Sequence, residues 1–159
     1  MPSITSLDPL SLPLHGSRLI EASAGTGKTF TIALLYVRLV LGGHSVDDDT
    51  AFIRPLTPPE ILVVTFTNAA TQELRERIRN RLVEAADVFR AEGVEGGADP
   101  LLLELRDQYD PATWPACSRR LALAAEWMDE AAVSTIHSWC YRMLREHAFD
   151  SGSLFSLNL

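Results

Sequence analysis

Residues 22–29 read Ala-Ser-Ala-Gly-Thr-Gly-Lys-Thr and match the pattern G-x-x-x-x-G-K-[ST] at every defined position except the first. In such a loop, successive backbone N–H groups converge on phosphate oxygens at the start of a helix whose dipole favours negative charge. Gly25 and Gly27 would let the backbone approach closely. Lys28 would supply a point charge to the β and γ phosphates, and the Thr29 hydroxyl would ligate Mg²⁺. The first position needs a small side chain, and Ala22 adds only one methyl there, tolerable if its φ stays negative. Of the 14 basic residues, Lys28 is the only lysine, and it occupies the slot where this chemistry needs one.

Two further stretches place polar and aromatic residues where strands should end. "ILVVTFTNAATQEL" puts Thr65, Phe66, Thr67 and Asn68 at the end of a β-branched run. "VSTIHSWCYRML" puts Thr135, His137 and Ser138 at the end of another. In an open parallel sheet, ligands bind outside the carboxyl ends of the strands. An exposed aromatic beside hydroxyl and amide groups would suit single-stranded nucleic acid, by stacking on a base and hydrogen-bonding the backbone. On periodicity alone, Phe66 reads instead as core, Thr67 as a helix cap and His137 as a cap or satisfied histidine. His137 and Cys140 have i, i+3 spacing, but nothing in the sequence orients them as a thiol nucleophile and base.

The elements that must carry these residues follow from hydrophobic periodicity. "SRLIEAS" (17–23) predicts a strand leading into the glycine loop, and "KTFTIALLYVRLVL" a buried helix stopped by Gly42-Gly43. Residues 44–60 are acidic and proline-bearing, a surface loop. "EILVVTF" (60–66) reads as a parallel strand covered on both faces. A long amphipathic helix follows, with Leu74, Ile78, Leu82 and Phe89 on one stripe and Gly93 as its end. Residues 93–100 have the composition of a flexible linker. Helices are then expected over 100–109 and about 114–129, a third short strand over 131–136, and a helix over 137–149. This alternation predicts an α/β domain of the doubly wound, parallel-sheet kind. Arg75, Arg77, Arg79 and Arg81 interleave with acids, which reads as a solvated, self-paired helix face.

With 159 residues, 47% apolar and 22% charged, the composition is that of one soluble globular domain. A net charge of −7 argues against a simple basic coat protein for nucleic acids. No export signal opens the sequence, and the longest apolar stretch is short and interrupted by Arg38. Cys117 and Cys140 form no metal-ligand spacing and are expected as reduced thiols.

In this order, "ASAGTGKTFT", "VVTFTNAATQELRERI" and "VSTIHSWCYRML" resemble motifs I, Ia and Ib of the UvrD/Rep-type superfamily 1 DNA helicases. The likeness covers Leu7 to Phe155 and is strongest to the exodeoxyribonuclease V beta subunits, where alanine opening the phosphate loop is usual. The resemblance implies a partial P-loop NTPase (RecA-like) domain, a parallel sheet with helices on both faces, over residues 1–159. It implies ATP and Mg²⁺ as cofactors, with Ala22, Ser23, Ala24, Gly25, Thr26, Gly27, Lys28 and Thr29 around the phosphates. It also implies that Thr65, Phe66, Thr67, Asn68, Thr135, His137 and Ser138 touch DNA. For a full-length relative it implies an ATP-dependent DNA helicase and exonuclease in the cytoplasm, acting in double-strand-break repair and recombination. Such a relative would bind single strands and duplex ends and assemble with gamma and alpha subunits, away from any membrane. The Asp-Glu motif that would position the attacking water is expected downstream of Leu159 in that family. Asp129-Glu130 follows a helical pattern rather than a strand, so the chain reads as the front part of a motor domain that holds nucleotide without turning it over. A small P-loop phosphotransferase and a non-catalytic nucleotide-binding domain remain alternatives on the residues alone.

Overall fold

The computed structural model describes residues 6–16, 27–90 and 97–150, with side chains described as far as 147. The strand expected over 17–23, the loop residues Ala22, Ser23, Ala24, Gly25 and Thr26, and residues 91–96 lie outside them. The described elements run α1 (Lys28–Leu41), β1 (Leu62–Thr65), α2 (Asn68–Arg90), α3 (Pro100–Asp107), α4 (Trp114–Glu126), β2 (Ala132–Thr135) and α5 (Ile136–Asp150). β1 and β2 pair in parallel, with Leu62 opposite Ala132 and Thr65 opposite Thr135. The crossover between them is α2–α3–α4, as a parallel pair requires. The α/β prediction therefore holds, and the element boundaries fall within a few residues of those read from periodicity.

The core collects on α2. Its stripe of Leu74, Ile78, Leu82 and Phe89 is buried as expected, and it continues through Ala85, Ala86 and Val88. Leu34, Val37, Val40 and Leu41 of α1 join it, with Leu102 and Leu105 of α3 and Leu121, Ala124 and Ala125 of α4. Burying one such Leu, Ile or Phe side chain contributes about 1.5–3 kcal/mol. The end of the stretch over 93–100 caps α3, and a second aspartate caps the 3₁₀ turn Pro111–Thr113 that leads into α4. Asp99 accepts a hydrogen bond from the Leu101 amide at 2.9 Å, and Asp110 one from the Ala112 amide at 3.0 Å.

The expectation that β1 is covered on both faces is corrected. Thr65 meets Thr71 of α2 hydroxyl to hydroxyl at 2.5 Å, so the face carrying Val63 and Thr65 packs under α2. The opposite face carries Leu62 and Val64, which stay 46% and 40% exposed. α5 reaches that side at β2, where Arg142 donates to the Ser134 hydroxyl at 3.1 Å. An all-apolar strand has two faces able to be buried, but composition does not say how many are.

The carboxyl end of α1 is closed by groups from distant segments. Gly42 takes φ +76°, and its N–H donates to the Arg38 carbonyl at 3.0 Å. A Cβ there would approach the Pro55 ring at 2.8 Å, so glycine is required both for conformation and for space. Arg120 donates to the Leu41 carbonyl at 2.9 Å and the Tyr109 hydroxyl to the Gly42 carbonyl at 2.5 Å. These satisfy carbonyls that a helix end leaves open, and Arg120 also sets a positive charge at the negative end of the dipole.

Arg38 does more than interrupt an apolar helix. Only 5% exposed, it donates to the carbonyls of Pro9 at 3.1 Å and Leu12 at 2.7 Å, and faces Thr50 on the other side. It thereby pins the lead-in segment and the loop over 44–60 to one helix. That loop is more ordered than its composition suggests. Asp48 accepts from the Thr50 hydroxyl at 2.6 Å and amide at 3.0 Å, and from His44 Nδ1 at 2.7 Å.

Arg38→Met should leave the Pro9 and Leu12 carbonyls without a donor and lower stability by about 2–3 kcal/mol, read from urea unfolding midpoints. A second expectation concerns acid. Burial works to raise the pKa of Asp48, but hydrogen bonds from Thr50 and His44 outweigh it and hold the carboxyl at about 2, below its ordinary 3.8. A depressed carboxylate stabilises fully above its unfolded pKa, and that contribution is lost as pH falls through the folded value. The stability difference between the parent chain and Asp48→Asn should therefore shrink between pH ~4 and ~2, as thermal melts at stepped pH would show.

Candidate functional site

The first turn of α1 presents the described part of the glycine loop. Gly27 lies in the left-handed region at φ +90°, where a side chain would be strained, and its carbonyl accepts from the Thr31 amide at 2.9 Å. Lys28 is exposed and Thr29 half-buried. No side chain caps this helix end, and no acid stands in its first turn. The helix dipole and an exposed ammonium thus meet in one place, and among the described residues no acid stands in that first turn. That arrangement fits a phosphate group, with Lys28 as the charge and Thr29 as the hydroxyl beside it.

The second candidate region is the edge where β1 and β2 end. Their last residues, Thr65 and Thr135, are register partners, so the two stretches picked out by residue type do emerge side by side. Each is followed by a helix capped by a threonine, but at different offsets. Thr67 Oγ1 accepts from the Ala70 amide at 3.0 Å and so caps α2. Thr135 Oγ1 accepts from the Ser138 amide at 3.1 Å and so caps α5 directly at the strand end. β1 therefore carries two residues between strand and helix where β2 carries none, and the extra bend turns Phe66 outward.

Phe66 is 88% exposed, so its reading as a core residue is corrected. Capping requires Thr67 to face its own helix, which leaves the ring between strand and cap with nothing to pack on. Thr67, Asn68, His137 and Ser138 are also exposed. Thr65 is half-buried and bonded to Thr71, while Thr135 is only 8% exposed. The last two position the edge rather than line it. His137 does not cap α5, because Thr135 already fills that role.

Other candidate groups are engaged elsewhere. Asp129 and Glu130 sit in a 3₁₀ turn, Trp127–Glu130, before β2 and not on a strand. Asp129 pairs with Arg79 at 2.5 Å, and Glu130 accepts from the Trp127 indole at 2.7 Å. Among the described residues no group of three or more His, Cys, Asp or Glu could hold a metal ion. Cys117 is buried and Cys140 exposed, both as free thiols.

The arginine row is only in part the self-paired solvent face that its alternation predicts: Arg77 is exposed, and Arg81 lies 3.2 Å from Glu84 on the same helix. Arg79 does pair with Glu76 along the helix at 2.6 Å. Arg75, however, reaches across to donate to the Val133 carbonyl of β2 at 3.1 Å. Arg81 is 8% exposed, bridges to Asp99 at 2.7 Å, and lies 4.7 Å from the centre of the Phe30 ring on α1. That contact had no sequence signal, since its partners belong to three separate elements.

A profile of the UvrD/REP helicase N-terminal domain matches residues 7–158. The chain belongs to the UvrD/REP helicase family. Among individual relatives of this helicase family, the RecBCD enzyme subunit RecB of Escherichia coli K12 is 54% identical over 155 residues, covering 97% of this chain. The subunit of the same name from Haemophilus influenzae is 45% identical over 158 residues, and that from Mycobacterium tuberculosis 35% over 135. This chain spans about 12% of the length of the first two relatives. No described helix is long and apolar enough to cross a membrane.

The two roles at the helicase-family strand edge separate by mutation. Thr67→Ala should cost about 1 kcal/mol of stability through loss of a helix cap. Phe66→Ala should leave stability within about 0.5 kcal/mol, as expected for an exposed side chain. Chemical denaturation of both variants measures the contrast.

Proposed function

We propose that this chain is the nucleotide-phosphate and single-strand contact region of an ATP-driven DNA helicase subunit of the RecB kind. The observation that carries the reading is the shared edge of β1 and β2, where Phe66 stands 88% exposed beside exposed Thr67, Asn68, His137 and Ser138. Phe66 would stack on a base while the hydroxyl and amide groups hold the backbone. Lys28 and Thr29, with the loop from Ala22 to Gly27, would hold the phosphates of ATP and its Mg²⁺. Bound ATP would supply, through hydrolysis, the free energy for movement along DNA. What this chain's residues contribute is binding and orientation: α1 fixes Lys28 and Thr29 on a rigid helix start, and the threonine caps fix the DNA-facing edge.

Hydrolysis also needs an acid pair to position water. Asp129 and Glu130 lie in a 3₁₀ turn before β2 and not at the end of a strand, so in this reading the chain binds nucleotide without steady turnover. For the whole protein we propose ATP-dependent helicase and exonuclease action in cytoplasmic double-strand-break repair and recombination, on duplex ends and single strands. Gamma and alpha subunits would be its partners, in line with the relatives' designation as subunits of a RecBCD enzyme.

Two measurements on the chain test this. Fluorescent ATP analogue binding should be lost in Lys28→Ala, and oligodeoxythymidine affinity should fall at least about fivefold in Phe66→Ala, the lower end for loss of one stacked base. Steady ATP turnover that is stimulated by oligodeoxythymidine and abolished by Lys28→Ala would overturn the non-hydrolytic reading.

A further inference from the structure

The residue directly after Lys28 and Thr29 is held by a group from the middle of another helix. Phe30 lies in the first turn of α1, where few side chains pack. Its ring is still 44% exposed, and the Arg81 guanidinium carbon stands 4.7 Å from its centre. Arg81 is itself fixed on three sides. It is buried within α2, pairs with Asp99 at 2.7 Å and lies 3.2 Å from Glu84. Asp99 is in turn the cap of α3, bonded to the Leu101 amide. A planar cation locked by two carboxylates is a stiff platform, and its attraction to the ring quadrupole is directional.

The surroundings make this contact consequential. The N-cap of α1 is Gly27, which has no side chain to close the helix, and no acid stands in the first turn. Helix ends without caps fray. A phosphate site built there needs its lysine and hydroxyl already in place before ligand arrives, or ligand binding must provide their ordering cost.

We propose that Phe30 and Arg81 form a positioning pair for the phosphate site, resting on the nucleotide reading above. Arg81, braced by Asp99 and Glu84, clamps the Phe30 ring and so holds the first turn of α1 wound, with Lys28 and Thr29 presented to the phosphates. Neither residue of the pair touches the ligand. The start of α3 at Asp99 is thereby mechanically linked to the phosphate site, though it is distant in sequence.

The test uses the whole chain, a fluorescent ADP analogue with Mg²⁺, and parallel thermal melts. Phe30→Leu keeps an apolar side chain but removes the quadrupole, and Arg81→Lys keeps the charge but removes the planar cation. Each should weaken affinity by about three- to tenfold, the range open to a partly desolvated cation–π contact. Phe30→Trp, a stronger π partner, should restore parental affinity, which a purely structural role of Phe30 would not produce. Lys28→Ala separates the two claims. If it abolishes binding while Phe30→Leu binds like the parent, the positioning pair is overturned and the phosphate site stands. If Lys28→Ala binds like the parent, the site itself is overturned and the pair with it. An affinity loss in Phe30→Leu that Phe30→Trp shares also counts against the pair.

Discussion

The packing of α2 is the constraint on which the rest of the structure depends. A single helix from Asn68 to Arg90 touches α1, α3, α4 and both strands, so its buried stripe is wide rather than narrow. Leu74, Ile78, Leu82, Ala85, Ala86, Val88 and Phe89 all lie under other elements. Against α4, Ala86 shares a groove with Ala122 and Ala125, and the buried Ser118 hydroxyl donates to the Ala86 carbonyl at 2.8 Å. Any change in where α2 starts would move the sheet, the first turn of α1 and the α3 cap together.

Where α2 starts is set by one hydroxyl. Thr67 takes up the Ala70 amide, and its carbonyl accepts from both the amide and hydroxyl of Thr71. Thr135 performs the equivalent task for α5. Because the caps sit at different distances from two strands in register, the shared edge is stepped. Phe66 occupies the step. Its exposure follows from backbone geometry already required for stability, so the same local chemistry that fixes the helix also presents an aromatic ring to solvent.

The sequence has thirteen arginines against one lysine, and many of the arginines serve the fold. Arg38, Arg75, Arg106 and Arg120 each donate to a main-chain carbonyl in another segment: Pro9 and Leu12, Val133, Val88, and Leu41. Arg106 also stacks 4.5 Å from the Trp114 ring centre. A guanidinium offers five donors in a fixed plane and sheds water more readily than an ammonium, so it can be buried as a strap between loops and helices. Lysine at these positions would reach one acceptor and retain a stronger demand for water. The lone lysine is left for a place where a compact, exposed charge is useful.

Much of this protein was legible in the sequence because periodicity and capping are local. The helix from Lys28, its stop at Gly42, the apolar stripe of α2, the parallel β1 and β2, and the convergence of the 65–68 and 135–138 stretches all follow from residue type and spacing within a few turns. Motif likeness pointed to the helicase family for the same reason: a glycine loop and two strand ends are short contiguous signatures. Tertiary structure alone decided how many faces of β1 are covered, that Phe66 is outside, and that Arg75 and the buried Arg81 connect separate elements. Each of these depends on what a side chain meets at long range. Alternating charge looks the same in sequence whether its partners are neighbours on one helix or a carbonyl, a carboxylate and an aromatic ring brought from three other elements.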